Sequence, residues 1–142
     1  MRRTVCLLAA VLLVLPSLGS DAPKEDEGAA VRDDLQGTWQ VVGRENDGND
    51  IGPEDSQLTF LPSERYQWDS EKRPGTYRID ASREPAHLDL TRIGRYGPVT
   101  QKCIFWRNGD TLRIACRTKE GERPKDFREH KLLVYTYRLV MQ

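Results

Sequence analysis

The sequence predicts an all-β domain, a small antiparallel up-and-down (lipocalin-like) barrel of about eight strands with one short N-terminal helical turn. Three observations point to it. Blocks of alternating apolar and polar residues recur from Trp39 onward, and this period puts successive side chains on opposite faces of a strand. Residues that favour turns separate the blocks. No long segment has a helical period, and closure removes exposed sheet edges, so a barrel is preferred to a sandwich.

Residues 1–20 are typical of a secretory signal peptide. Arg2 and Arg3 give a positive start, eleven apolar residues follow over positions 5–15, and small residues end the segment at positions 16–20. The apolar run is shorter than the roughly 20 residues that cross a bilayer. We therefore expect an exported protein, periplasmic, envelope-associated or extracellular, with no transmembrane segment after cleavage.

Cleavage would also change the charge balance. The bases fall from 22 to 20 while all 22 acids remain, so the mature chain carries about −2 and gives no indication of a nucleic-acid partner. Residues 21–34 hold six acids and two bases and are too poor in apolar residues to fold alone. We expect an acidic flexible leader there, followed by one barrel domain over residues 35–142.

Local signals set the elements of this domain. A helical turn is expected between Asp33 and Gln36, because an aspartate can cap it and Gly37 can end it. The first strand carries Trp39, Val41 and Gly43 on one face and ends in the Asn/Asp/Gly run at 46–50. The remaining strands are expected at residues 57–61, 65–69, 75–80, 87–93, 99–106, 112–116 and 131–140, with a long polar loop over 118–126.

The Asn108-Gly109 pair predicts a hairpin with a type I′ turn, because both residues accept positive φ. A two-residue turn would put Cys103 opposite Ile114 and make Cys103 and Cys116 diagonal neighbours. A three-residue turn with a bulge would put the two cysteines on opposite faces. Neither register places them directly opposite, so two buried thiols are expected rather than a disulfide.

Five short motifs occur in order along the domain and resemble those of an uncharacterised lipocalin-like domain family that is expanded in planctomycete bacteria. The resemblance covers nearly all of residues 35–142. Because that family has no established activity, it implies a compact barrel and export but no particular chemistry. The motifs are Leu35-Gln36-Gly37-Thr38-Trp39, Gly75-Thr76-Tyr77, Leu88-Asp89-Leu90-Thr91, Gly109-Asp110-Thr111-Leu112 with Cys116, and Gly121-Glu122-Arg123-Pro124 followed by Phe127.

The Gly-x-Trp opening is also similar to the start of true lipocalins, in which the tryptophan closes the barrel floor beneath a basic residue of the last strand. The resemblance thus implies a structural floor of Gly37 and Trp39, with Arg138 as its cover. The chain departs from the family pattern at Arg92 and at Trp106-Arg107. The properties of the family's pocket therefore carry over less readily to this chain.

The sequence offers few residues that could form a catalytic or metal-binding site. A nucleophilic hydrolase needs a Ser or Cys beside a base that a third group orients, but the chain has two histidines and no Gly-x-Ser-x-Gly segment. His87 and Asp89 point to the same side of a strand, yet no further ligands for a closed zinc site are evident nearby. We expect no catalytic residues, no metal and no other cofactor.

The aromatic residues are better functional candidates, since inward rings on consecutive strands can line a pocket as well as fill a core. We expect a small, mostly apolar ligand, with Tyr66, Trp68 and Tyr77 as walls and Arg92 as a polar anchor. Arg92 follows two inward leucines on their face, although a strand end or a bulge would turn it to water.

The alternative function is a non-catalytic protein-interaction module of the cell envelope or the extracellular space. Phe105 and Trp106 are adjacent on one strand, so one of them must face outward. An exposed aromatic side chain there, or the loop from Thr118 to Arg128, would contact an envelope protein.

Overall fold

The computed structural model describes residues 31–118 and 121–141, and in it the chain forms one closed antiparallel β-barrel. Each strand pairs with its neighbour, β1 also pairs with β9, and β2 is a two-residue addition to the end of β1. The predicted barrel is confirmed. The strands are β1 (Gly37–Asn46), β2 (Asn49–Asp50), β3 (Gln57–Leu61), β4 (Arg65–Trp68), β5 (Gly75–Asp80), β6 (Ala86–Gly94), β7 (Gly97–Asn108), β8 (Thr111–Arg117) and β9 (Leu132–Leu139).

The predicted signal peptide and positions 21–30 of the predicted leader lie outside the described residues. Residues 31–35 are helical and include Val31 and Arg32, which precede the expected turn between Asp33 and Gln36. Val31 packs against the core, Leu35 is fully buried, and the indole N–H of Trp39 donates to the Leu35 carbonyl oxygen at 2.9 Å. No helix in the described part of the chain is long and apolar enough to cross a membrane.

The two ends of the barrel differ, and we name them by their contents. The helix end carries residues 31–35, the β5–β6 loop and the β7–β8 turn. The far end carries the β4–β5 loop, the β6–β7 turn and the connection from β8 to β9. The helix closes the first end, because its own Leu35 and the Trp39 side chain beneath it have no exposed surface.

Large side chains fill the barrel interior. Phe60 and Tyr77 meet edge to face with ring centres 5.0 Å apart, as aromatic pairs prefer. A second, smaller cluster lies outside the barrel, where Phe127 of the loop before β9 covers part of β7, β8 and β9. The interior cluster consists of Leu35, Trp39, Val41, Leu58, Phe60, Tyr66, Tyr77, Leu88, Leu90, Cys103, Phe105, Leu112, Ile114, Cys116 and Tyr137.

A bulge in β1 reverses the predicted inward and outward orientation of the residues that follow Val41. The pairing with β9 shifts between Val41 and Gly43, so β1 carries one residue more than its partner. Arg44 then lies opposite Tyr135 on the inner side, and Gly43 turns outward. The expectation that Gly43 shares the face of Trp39 is wrong because a bulge changes the two-residue period.

The predicted register of the β7–β8 hairpin is wrong by one residue in the turn. Asn108 pairs with Thr111, so Gly109 and Asp110 form the turn, and of these two only Gly109 has positive φ, at 59°; a type I′ turn needs both. Cys103 consequently lies directly opposite Cys116, with Cα atoms 4.6 Å apart, and the two form a disulfide. Two free thiols were expected because the assumed register made the cysteines diagonal.

Candidate functional site

Two of the predicted ligand walls pack into the barrel interior, Tyr77 as a buried core residue and Trp68 as a partly buried residue beside the core. Tyr77 is buried against Phe60. Trp68 packs near Tyr135 and Tyr137, with ring centres 5.9 and 6.2 Å away. These contacts join β4 to β9 across the interior, so both predicted walls fill space between strands.

Tyr66 and Arg92 are brought together at the far end. Both line a cavity of about 180 Å³, together with Leu90 and Gln101, which is small against the roughly 300–1,000 Å³ of typical ligand sites. Burial, with a smaller contribution from Glu71, raises the pKa of Tyr66 to about 12, while Arg92 acts in the opposite direction. The phenol therefore stays neutral and belongs to the core.

Arg92 is exposed, although neither a strand end nor a bulge turns it outward. Strand β6 continues to Gly94, and Arg92 pairs with Val99 in regular register on the face of Leu90. Its side chain reaches water because the position lies at the rim of the far end. Trp68 and Tyr77 do not line the cavity that Tyr66 and Arg92 share, so the four predicted ligand residues do not form one site.

The barrel floor has a different cover from the predicted one. Arg138 lies opposite Gln40, outside the barrel, and is exposed, so its assignment as the cover of Trp39 is wrong. Arg107 of β7 takes that place, with its guanidinium carbon 5.6 Å from the centre of the Trp39 ring and Nη1 3.3 Å from Asp34. Gly37 begins β1 with φ of 124°, as the predicted floor turn requires.

An open groove of about 700 Å³ lies at the helix end. It forms because pairing between β6 and β7 begins at Ala86 and Phe105, so β7 continues to Asn108 without a β6 partner. The β5–β6 loop, the helix and Phe127 surround this unpaired stretch. The lining residues are Val31, Asp34, Ala81, Ser82, Arg83, Glu84, Pro85, Ala86, Phe105, Trp106, Arg107, Gly109, Arg113 and Phe127.

Trp106 is the most prominent apolar surface in this groove, because 47% of it is exposed while Phe105 is buried. It lies opposite Arg113 on the outer face of the β7–β8 hairpin. Arg113 stacks 5.1 Å from the Phe127 ring centre and pairs with Glu45 at 3.1 Å. Arg107 and Arg113 thus both have carboxylate partners, and the groove offers apolar area more than free positive charge.

No family model, curated protein or solved structure matches this chain. The lipocalin-like resemblance therefore stays a prediction from sequence motifs.

The remaining polar candidates have structural partners. Arg123 Nη2 binds the Asp89 carboxylate at 2.5 Å, and Nη1 donates to the Cys103 carbonyl oxygen at 2.7 Å. Burial lowers the pKa of His87, and Arg123 lowers it further. The disulfide takes up the thiols of Cys103 and Cys116. Among residues 31–118 and 121–141, no group of three His, Cys, Asp or Glu side chains is placed to hold a metal ion.

The groove was not predicted from sequence, although part of its signal was present. Trp106-Arg107 departs from the pattern of the family that the motifs resemble, and one of the two adjacent aromatics Phe105 and Trp106 has to face outward. The length by which β7 extends past β6 depends on where the pairing of this hairpin stops, at Ala86 and Phe105, and no local motif marks that point.

Proposed function

We propose that this protein is an exported, non-catalytic lipocalin-like barrel that binds a small, mostly apolar ligand in the groove at the helix end. The observation that carries this proposal is the position of Trp106, about half exposed, in a groove of about 700 Å³. Sites for small molecules typically have this volume and combine an apolar lining with a few polar groups.

Two features support export. The N-terminal 20 residues have the charge and hydropathy pattern of a signal peptide. Cys103 and Cys116 form a disulfide, and such bonds persist in oxidising compartments outside the cytosol. The groove would then meet ligands of the periplasm or the cell exterior.

The groove is a better ligand site than the barrel interior. Trp39, Tyr77 and Tyr137 are buried and occupy much of the interior, so a ligand there would have to displace core side chains. In the groove, the exposed indole of Trp106 can be covered without such a change. A largely neutral ligand fits best, because Asp34 and Glu45 already pair with Arg107 and Arg113.

Titration with N-phenyl-1-naphthylamine, a neutral fluorescent probe of apolar sites, tests this proposal. Saturable binding with one site per chain is expected, accompanied by quenching of tryptophan emission. The Trp106→Ala variant should bind at least about tenfold more weakly, because the large aromatic contact is lost. Val42→Ala is the matched control, since Val42 is 42% exposed on β1 outside the groove.

The outcome separates the groove from other apolar surfaces. Loss of binding in Trp106→Ala with unchanged binding in Val42→Ala would support the proposed site. Equal binding by both variants would place the probe elsewhere and contradict the groove, and absence of saturable binding by the unmodified protein would contradict ligand binding there altogether.

A protein partner is the second candidate, because Trp106 exposes an aromatic surface of the kind that marks interaction sites. Replacing the whole 118–128 loop is a poor test, since Phe127 packs on the outer cluster and Pro124 is buried. A photo-crosslinking residue at position 106, introduced in cells that export the protein, is sharper. A discrete adduct at position 106 that is absent at position 42 would support this candidate; no adduct would argue against it.

A further inference from the structure

The β6–β7 turn exposes two large apolar side chains at the far end of the barrel. Gly94 pairs with Gly97, so Arg95 and Tyr96 form the tip of this hairpin. Tyr96 is 94% exposed and Ile93 is 66% exposed. We call residues 92–96 the far-end tip.

Four cations lie beside one or the other of these two side chains. Arg92 and Arg95 belong to the tip, and Lys72 and Arg73 belong to the neighbouring β4–β5 loop. Lys72, Arg73, Arg92 and Ile93 line one cavity of about 280 Å³, together with Glu71 and Pro74. The guanidinium carbon of Arg95 lies 5.6 Å from the centre of the Tyr96 ring. Three of the cations therefore lie near Ile93, and the fourth lies near Tyr96.

The positive charge of these four side chains is not offset by an ion pair within the described part of the chain. None of the four cations has an Asp or Glu oxygen within 4.0 Å there, whereas most arginines elsewhere do. Glu71 is the acidic side chain in the shared cavity, and it leaves an excess of positive charge around Ile93 and Tyr96. The paired arginines are Arg32, Arg44, Arg83, Arg107, Arg113, Arg117 and Arg123.

We propose that the far-end tip docks the barrel on the surface of a bilayer that contains anionic phospholipids. Ile93 and Tyr96 enter the interfacial region, where tyrosine rings are favoured, and the four cations contact lipid phosphates. Basic residues next to a membrane are attracted by its negative surface potential. A highly exposed turn also suits a flat partner such as a bilayer. Its side chains can insert into the lipid, so the protein needs no groove to hold the partner.

A folded acidic protein suits this surface less well. Specific protein interfaces bury about 800 Å² on each partner, and they are depleted in charge at their centre. At the tip, two apolar side chains stand among four cations. Membrane docking also leaves the groove free, because the groove lies at the opposite end of the barrel; the two proposals can therefore fail independently.

Co-sedimentation with lipid vesicles tests this inference. The purified protein, with and without residues 1–20, is mixed with vesicles of phosphatidylcholine alone or with about one third phosphatidylglycerol. Binding to the anionic vesicles is expected in both forms, and it should weaken as salt screens the charges. Phosphatidylcholine alone should bind much less protein.

Two variants separate the contributions of the cations and of the apolar side chains to vesicle binding, and a third variant is the control. Arg92→Gln/Arg95→Gln should weaken partitioning on the order of 20-fold, because each basic residue contributes about a factor of five. Ile93→Ser/Tyr96→Ser should also reduce binding and make the remainder more salt-sensitive. Arg65→Gln/Arg78→Gln removes the same charge from exposed positions on β4 and β5 and should leave binding nearly unchanged.

The inference is supported if both tip variants lose binding to anionic vesicles and the control variant does not. Equal loss in Arg65→Gln/Arg78→Gln would show that net charge alone is responsible and would overturn it. Equal binding to neutral and anionic vesicles would also overturn it. A further arm uses polyglutamate at matched charge concentration: if it binds the tip as tightly as the anionic vesicles, an acidic macromolecule replaces the bilayer as the partner.

Discussion

Arg107 covers the ring of Trp39 at the helix end of the barrel, with its guanidinium carbon 5.6 Å from the ring centre. Asp34 of the N-terminal helix lies 3.3 Å from Nη1 of the same arginine. Arg107 thus links β7, the tryptophan at the start of β1 and the helix that closes this end. The last strand does not supply the basic cover, because Arg138 faces outward beside β1.

Arg107→Met should lower the free energy of unfolding by about 1 kcal/mol, because it removes a cation–π contact and a partly exposed ion pair but keeps an apolar stem over the ring. Chemical denaturation followed by circular dichroism measures the change. Arg138→Met is the control and should stay within about 0.5 kcal/mol, as exposed positions usually do. Equal effects of the two substitutions would contradict the assignment of Arg107 as the floor cover.

The disulfide gives a second prediction. Cys103 and Cys116 are separated by 13 residues, and a bond that closes a loop of this length is expected to stabilise the fold by about 3 kcal/mol. Dithiothreitol should therefore lower the denaturation midpoint of the unmodified protein. The Cys103→Ala/Cys116→Ala variant should have a similarly low midpoint and show no further response to reductant.

Thiol labelling of unreduced, exported protein provides the direct check. No labelling is expected in denaturant until a reductant is added. Two labelled thiols in protein taken from the cell envelope or the medium would show that the bond is absent in the native setting. That result would also remove one of the two supports for an oxidising compartment.

Gly75 leaves space that Tyr66 occupies. A Cβ atom at position 75 would lie 2.5 Å from the Thr91 carbonyl oxygen and closer still to the Tyr66 ring. Gly75→Ala should therefore destabilise the barrel by about 2 kcal/mol, since overpacking forces backbone and side chains to shift. Gly43→Ala is the matched control, because its Cβ would meet Thr136 at an ordinary 3.8 Å. Equal denaturation midpoints for both variants would contradict the tight fit.

The barrel was predictable because its signals are local. Alternating blocks and turn residues marked eight of the nine strands, and the remaining one, β2, has only two residues. The bulge in β1 has no comparable signal, because Val41, Val42 and Gly43 read as a plain continuation of the strand. The extra residue in β1 at this point results from its pairing with β9, a strand distant in sequence.

The hairpin register shows a second limit. Asn108-Gly109 and Gly109-Asp110 both suit a two-residue turn, since glycine supplies the positive φ in either case. The choice moves the partner of Cys103 from Ile114 to Cys116, so a one-residue ambiguity in the turn decided whether a disulfide could form. The Arg107 floor depends on contacts with Trp39 and Asp34, which are distant in sequence, and the groove depends on where the β6–β7 pairing stops. Local patterns encode neither.

Tyr66 should make the stability of the barrel fall in alkali. Burial raises its pKa from 10.0 in an exposed tyrosine to about 12 in the folded protein, so the folded state holds this proton more tightly than the unfolded state. The resulting stabilisation is complete below pH 10 and is lost as the pH rises from 10 towards 12. Denaturant unfolding at a series of pH values measures this loss.

Tyr66→Phe should reduce the alkaline slope of the unfolding free energy without abolishing it, because burial also raises the pKa of Tyr77 and Tyr137. Tyr96→Phe is the control, since the Tyr96 ring is 94% exposed, and it should leave the slope unchanged. The ultraviolet absorbance of phenolate, followed through the same titration, should lose the component with a pKa of about 12 in Tyr66→Phe. An unaltered slope and titration curve in Tyr66→Phe would mean that Tyr66 reaches solvent and is not part of the packed core.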